Sequence, residues 1–179
     1  MPIPPGETFD CLYNGTCIFL VSPHLSNDDA EALAGILVAA ITRIGPAAYS
    51  AEQVAAWSAR HPGAAQYRQR AAAGNVIYVA ADPADLPVAY LLMEPDGHVD
   101  HLYIHPDHTR CGLATQLLAA AETHARREEF SRLYTEASDL ARPVFARAGY
   151  AATKKREFAI AHEGRDIPIH NWAMEKTLR

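Results

Sequence analysis

Cysteine is scarce in this sequence. Its 179 residues hold three, Cys11, Cys17 and Cys111, too few and too scattered for a disulfide framework or a cysteine-ligated zinc site. Long apolar runs are missing as well. None approaches the ~20 residues that cross a bilayer; the best, Ala30 to Ile41, carries Glu31 and runs into Arg43, as a core helix would. Positive charge is in deficit, with 16 Lys and Arg against 21 Asp and Glu, and the resulting −5 argues against generic nucleic-acid binding. The start, Met1-Pro2-Ile3-Pro4-Pro5-Gly6, lacks the basic and apolar regions of a signal peptide, so a cytoplasmic location and no membrane partner are expected. The nucleotide fingerprints are missing too. No G-x-G-x-x-G and no Gly-Lys-Ser/Thr loop occurs, which leaves hydride transfer and nucleotide hydrolysis without their anchors.

With 49% hydrophobic and 21% charged residues, the composition is that of an ordinary globular domain, and the length gives room for one. The Pro- and Gly-rich residues 1–14 read as a loose extension to a single domain over 15–179. A strand is expected from Cys17 to Val21. A helix starts at Ser26-Asn27-Asp28-Asp29 and stops at Gly45-Pro46. Ser50 to Gln53 has capping-box form, and the helix it opens ends at His61-Pro62-Gly63. A short alanine-rich helix follows, from Gln66 to Ala73. The period then turns extended: Val76–Ala80, Val88–Met93 and His98–Ile104 form an antiparallel meander through the turn Glu94-Pro95-Asp96-Gly97. An amphipathic helix from Leu113, a strand Leu133–Ala137, a helix near Ala141–Ala148 and a hairpin of Glu157–Ala161 with Ile167–Met174 complete the chain. This order predicts an α/β (α+β) fold, a mixed sheet with helices on both faces.

The chemistry concentrates where a strand, Leu102-Tyr103-Ile104, runs through a polar loop into a helix that opens on Gly112-Leu113-Ala114-Thr115. A helix N-terminus leaves amide N–H groups unpaired and carries partial positive charge. Small residues there, Gly112 and Ala114, let a phosphate reach those amides, and Arg110 adds a mobile cation. The bland alternative is a glycine-assisted start to an ordinary helix.

These residues have a known counterpart. His105 through Leu118 resembles the acetyl-CoA-binding segment of the GNAT superfamily of N-acetyltransferases, with its Q/R-x-x-G-x-G/A loop and Leu-Leu helix. The stretch from Ala141 to Tyr150 resembles the superfamily's second mark, A-x-x-F-Y-x-x-x-G-F/Y. The Tyr49-to-Trp57 segment with Pro143 is similar to the YafP-like branch. The resemblance covers roughly Cys17 to Lys176. It implies a mostly antiparallel central sheet and acetyl-CoA as co-substrate, without a metal. It also implies that the backbone of Leu102, Tyr103 and Ile104 aligns the pantetheine and that Arg110, Cys111, Gly112, Leu113, Ala114 and Thr115 hold the pyrophosphate. Ser138 stands where the family often has an Asn near the acyl sulfur. The sequence departs from the pattern in two further places: Thr109 replaces the first Gln or Arg, and Phe145 falls where a Tyr often protonates the leaving thiolate. Either another group, such as Tyr134, or a water would then serve as acid, or acid catalysis is dispensable.

Attack on a thioester needs a neutral amine, so some group must take a proton. Family members often carry that base on the strand before the loop, which points here to His98 and Asp100, two apart and so on one face. As plain structure, His98 is a solvated turn residue and Asp100 an ion-pair partner. Glu136 is a third candidate, with a surface carboxylate as its plainer reading; Tyr49 and Trp57 could line an acceptor pocket, with buried packing the stronger reading of Trp57. The acceptor is expected to be an amine of a small molecule, aminoglycoside or peptide, and the assembly a monomer or a homodimer paired through the C-terminal hairpin. Two rivals stay open. One is a non-catalytic acyl-CoA-binding domain. The other is a metal enzyme built on His98, His101, His105 and His108, although 98 and 101 on a regular strand face opposite sides.

Overall fold

Helix α1 (Asp29–Ile44) opens on Asp29 and Glu31, which suit the positive end of a helix, and closes on Arg43. Gly45-Pro46 converts it into a 3-10 turn, Gly45–Ala47, because proline has no N–H to continue the ladder. The stretch Asp29–Ala47 is long and apolar enough to cross a membrane, yet Leu33, Ile36, Leu37 and Ile41 are buried in the protein core. Helix α2 (Ala51–Ala59) has the expected capping box: Ser50 Oγ accepts from the Gln53 amide at 3.2 Å and Gln53 Oε1 from the Ser50 amide at 2.9 Å. Gln53 Nε2 also donates to the Pro168 carbonyl at 2.7 Å, tying α2 to the far end of the chain. Helix α3 (Ala64–Ala72) follows. The computed structural model describes residues 20–22, 29–60 and 63–178. The expected extension over 1–14, Cys11, Cys17, the Ser26 cap and the His61-Pro62 stop therefore lie outside the described residues, as does the start of the Cys17 strand.

Among the described residues the strands form two antiparallel sheets. One is ordered β1-β2-β3-β4 (Leu20–Ser22, Val76–Ala81, Pro87–Met93, Val99–Ile104). The other is ordered β5-β7-β6, with β5 Arg132–Ala137, β6 Ala151–His162 and β7 Arg165–Thr177. Helices α1 to α3 pack on Ile77, Val79, Tyr90 and Leu92 of the first sheet. Helices α4 (Leu113–Arg127) and α5 (Arg142–Arg147) cover the opposite face, on Leu91, Met93, Leu133 and Met174.

Among the described residues the two sheets join at one place. His98 bridges Tyr134 in parallel, the Tyr134 amide donates to Gly97 O at 3.1 Å, and the Thr135 hydroxyl donates to Val99 O at 2.7 Å. Gly97 sits at φ 89°, and a Cβ there would lie 2.7 Å from Arg132 O, so only glycine lets β5 come this close. Beyond the bridge β4 and β5 part. Among the described residues no strand pairs with the β5-facing edge of Leu102 to Ile104. The expected mixed sheet is thus split, its parallel character confined to this bridge.

The C-terminal hairpin is far longer than the sequence pattern predicts, with β6 starting at Ala151 and β7 reaching Thr177. Strand β6 is an edge strand exposed along most of its length, so Lys154, Lys155 and Arg156 are tolerated in it and mask the alternation. Pro168 is accommodated because that part of β7 pairs with β6 alone.

Candidate active site

Strand β4 carries a bulge where it matters. Val99 pairs with Met93 and His101 with Leu92, leaving Asp100 as the extra residue. The alternation reverses across it. Val99 joins Leu102 and Ile104 in the core under α4, whereas Tyr103 packs on the α1–α3 side. Asp100 Oδ2 lies 3.5 Å from His101 Nε2, and His101 reaches the Tyr90 hydroxyl at 3.2 Å. The strict alternation used to separate His98 from His101 does not hold across this bulge. Among the described residues no three His, Cys, Asp or Glu groups converge as metal ligands.

Past the bulge the split between β4 and β5 holds a cavity of about 350 Å³. Residues 102–104 and 112–115, Arg110 and Ser138 all line it, so the structure gathers nearly the whole set expected to hold a cofactor. Cys111 is the exception: it packs toward the core and its thiol donates to Thr109 O at 3.5 Å. Ile41, Ile44, Val144 and Arg147 complete the walls. Val144 and Arg147 fall within the Ala141–Tyr150 motif, whereas no motif points to Ile41 and Ile44, because α1 is far from the loop in sequence.

The loop is shaped for an anion. Gly112 caps α4 at φ 80° with no side-chain cap, and the first helical bond runs from the Gln116 amide to Gly112 O at 3.2 Å. The amides of Leu113, Ala114 and Thr115 therefore have no acceptor within the helix. Arg110 also sits in the left-handed region, at φ 65°. For a non-glycine residue that costs about 1–2 kcal/mol, and the strain falls on the turn that faces the cavity.

A second cavity, about 360 Å³, lies on the other side of β4. Trp57, Tyr103 and Ser138 line both cavities, so the two meet there. Tyr49 packs edge-on to Trp57, with ring centroids 5.4 Å apart, and both line the second cavity.

The charged wall of this cavity is a ladder of alternating sign. Asp100 accepts from Arg70 Nη1, and Arg70 Nη2 donates to Glu94, each at 2.5 Å. Glu94 Oε2 faces His98 Nδ1 at 2.9 Å, and His98 Nε2 faces Glu136 at 2.7 Å. Glu136 also pairs with Arg156 at 2.7 Å. Asp100 and His98 are thus brought into one network, through Arg70 and Glu94 rather than by regular alternation, and their chemistry is set by their neighbours. With a carboxylate on each nitrogen, His98 fits as an imidazolium donating twice and has no lone pair to offer. Burial pulls its pKa down, but the Glu94 hydrogen bond and the Glu136 charge outweigh that and leave it raised. Asp100 lines the cavity; burial works to raise its pKa, and the charges of His101 and Arg70 with the Arg70 hydrogen bond hold it below the ordinary carboxylate value.

The candidate acids stand elsewhere. The Tyr134 hydroxyl donates to Asp96, which pushes its pKa up to about 12, and Tyr134 lines neither cavity. Its ring stacks on His98 at 4.8 Å. Phe145 is 2% exposed, set in the core against Tyr150, and Val144 is the neighbour that faces the groove.

One cluster escaped the sequence reading. His170 on β7 lines the second cavity with its Nε2 2.9 Å from Asp139 Oδ2. Trp172 Nε1 donates to Asp139 Oδ1 at 2.6 Å, and the Asp139 amide donates to the Tyr49 hydroxyl at 2.9 Å. The only local signal is that positions 170 and 172 share one face of a strand.

Known proteins match this arrangement. A family model, described as an acetyltransferase (GNAT) domain, matches residues 46–163. The uncharacterized N-acetyltransferase YafP of Escherichia coli (strain K12) is 28% identical over 128 residues, 72% of this chain and 79% of that protein. A solved GCN5-related N-acetyltransferase from Rhodopseudomonas palustris is 31% identical, with a TM-score of 0.77 over 88% of this chain and 94% of its own. The PaiA N-acetyltransferase of Thermoplasma acidophilum, solved in complex with coenzyme A, shares the fold at 13% identity, with a TM-score of 0.71 over 89% of this chain and 99% of its own. Matched across well over half its length by the family model, the chain belongs to the GNAT superfamily of N-acetyltransferases, enzymes that transfer an acetyl group from acetyl-CoA.

Proposed function

We propose that this enzyme acetylates a primary amine of a small molecule or peptide, with acetyl-CoA and acceptor held together and the amine attacking the thioester directly. One observation carries the reading: two cavities of similar size lie side by side, with Trp57, Tyr103 and Ser138 lining both, where β4 and β5 part. Acetyl-CoA is the donor of the acyl group. Its phosphates match the unpaired amides of Leu113 to Thr115 and the cations Arg110 and Arg147. Its pantetheine amides can add to the open edge of β4 at Leu102 to Ile104 as an extra strand would. A backbone N–H near Leu102, just past the bulge, can polarise the thioester carbonyl.

On the acceptor side, Asp100 and Glu136 offer carboxylates to an ammonium group, and Tyr49, Trp57 and Phe158 offer apolar wall. Phe145 donates no proton. Direct attack does not need it to, because the nucleophilic nitrogen sheds a proton that can leave with the sulfur.

Calorimetric titration with acetyl-CoA, with NAD and ATP as controls, tests the first half of this reading. Saturable 1:1 binding of acetyl-CoA alone is expected, followed by amine-dependent release of free thiol in a panel of acceptors. No binding at millimolar acetyl-CoA would remove the cofactor assignment. Tight binding with no thiol release from any amine would instead favour a non-catalytic acyl-CoA-binding domain.

A further inference from the structure

Resting on that reading, an ammonium must lose a proton inside the acceptor cavity before its nitrogen can attack. The basic groups lining or flanking this cavity differ sharply in what they have free. His98 has both nitrogens on carboxylates. Asp100 is held by Arg70, and Glu136 is shared between His98 and Arg156. His101 is 8% exposed, with its nitrogens on Tyr90 and Asp100. His170 alone of these lines the cavity with one nitrogen on a carboxylate and no described hydrogen bond at the other.

The carboxylate behind it is itself fixed. Trp172 and Tyr49 hold Asp139 by side chain and by main chain, and the Arg142 guanidinium lies 3.9 Å over the Trp172 ring, fixing that ring in turn. Asp139 directly follows Ser138, which lines both cavities, so this support is anchored one residue from the place where they meet.

We infer that His170 is the general base of the transfer and that Asp139 is a positioning residue that keeps the imidazole protonated on Nε2, with the Nδ1 lone pair toward the acceptor. The step balances. One ammonium proton passes to Nδ1, the freed nitrogen attacks the thioester carbonyl carbon, and the carbon–sulfur bond breaks. The second proton on that nitrogen leaves with the sulfur as a thiol. His170 then returns its proton to water through the cavity mouth. Amide, thiol and one released proton are the products.

The charges around His170 are Asp139 from the β5–α5 connection and Glu157, its register partner on β6. Asp100, Glu136, Arg60, Arg70 and Arg156 line the same cavity.

The test uses the full chain with acetyl-CoA and whichever amine gives turnover. His170→Gln is expected to lower kcat by about 100- to 1,000-fold, to abolish the rise of kcat/KM with pH, and to leave acetyl-CoA affinity unchanged. Free imidazole should restore part of the activity of His170→Ala. Asp139→Asn should lower kcat with little change in KM and displace the pH limb, which a merely structural role would not do. A His170→Gln enzyme within twofold of wild type overturns the proposal. So does a pH limb that survives in His170→Gln and vanishes in Asp100→Asn, which would pass the role to Asp100. Nitrogen-15 imidazole spectra give an independent readout without turnover. A proton on Nε2 and a bare Nδ1 are expected, and the opposite tautomer overturns the assignment. Failure of wild type to bind acetyl-CoA would strike the transfer reading itself, whatever the tautomer.

Discussion

The groove proposed for the cofactor takes about half of its lining from one contiguous stretch, residues 102–115, and offers a phosphate the unpaired amides at the start of α4. The acceptor cavity beside it takes its charged wall from α3, β4, β5 and β6 and its other side from β7. The first surface depends on where the backbone runs; the second depends on which long side chains happen to meet. A ligand bound by amides is insensitive to most substitutions but vulnerable to anything that fills the space in front of them. A ligand bound by a charge ladder is open to adjustment one residue at a time. The same β4 serves both, and its bulge at Asp100 is the point where it passes from one task to the other.

The largest effect expected from breaking this division is at Gly112. A Gly112→Val side chain would start within the groove, at a φ of 80° that a β-branched residue rarely adopts. Only Gln116 Nε2, 4.0 Å away, lies near its Cβ, so the fold has room for it. Acetyl-CoA affinity should fall by about 100-fold, the loss of roughly 3 kcal/mol of phosphate-to-amide contact. Thermal unfolding should register only the backbone strain, about 1–2 kcal/mol. Affinity within threefold of wild type would mean that the α4 amides do not hold the cofactor.

This division also explains what could be read before the structure was known. The anion loop of the groove was legible because its parts are contiguous: a strand, a loop with Gly112 and a helix declare themselves within 14 residues of sequence, whereas the α1 wall does not. The meander was legible through Glu94-Pro95-Asp96-Gly97, and α2 through Ser50 and Gln53. The bulge was not, since Val99-Asp100-His101 carries no glycine or proline to mark it. Strand β6 was hidden because an exposed edge accepts Lys and Arg. The acceptor wall is a matter of distant pairing. Arg70 meets Asp100 across 30 residues, His98 meets Glu136 across 38, and Trp172 meets Asp139 across 33. No local pattern encodes such meetings.

A middle-sized effect should appear at Arg70, which sharpens the contrast from the other side. Arg70→Ala leaves Asp100 and Glu94 half-buried and without their shared cation. These side chains keep 23–34% exposure, so the cost falls below that of a fully buried pair, at about 1–2 kcal/mol. Denaturant unfolding should show that loss while acetyl-CoA affinity stays within twofold, because the guanidinium lines only the acceptor cavity. A parallel loss of cofactor affinity in the folded protein would break the comparison, by showing that the two cavities are energetically one.

The smallest effect is a pH dependence at the rung where the ladder meets the sheet junction. His98 is raised in the folded protein: burial disfavours its charge, but the Glu94 hydrogen bond and the Glu136 charge win. A group raised on folding binds its proton more tightly in the native state, so protonation stabilises that state. Its contribution is complete below the unfolded value, about pH 6.5, and is lost as pH rises through the higher folded value. His98→Gln removes the titration and keeps much of the side-chain volume. The stability difference between wild type and variant, from denaturant unfolding at a series of pH values from about 5 to 9, should therefore be greatest at the acid end and shrink towards the alkaline end. The ladder supplies the reason. Asp100, Glu94 and Glu136 face Arg70, His98 and Arg156, and their charges cancel only while His98 is protonated. A difference that grows with pH would mean that His98 sits in this network as a neutral ring, with a lone pair free after all, and would return it to the list of possible bases.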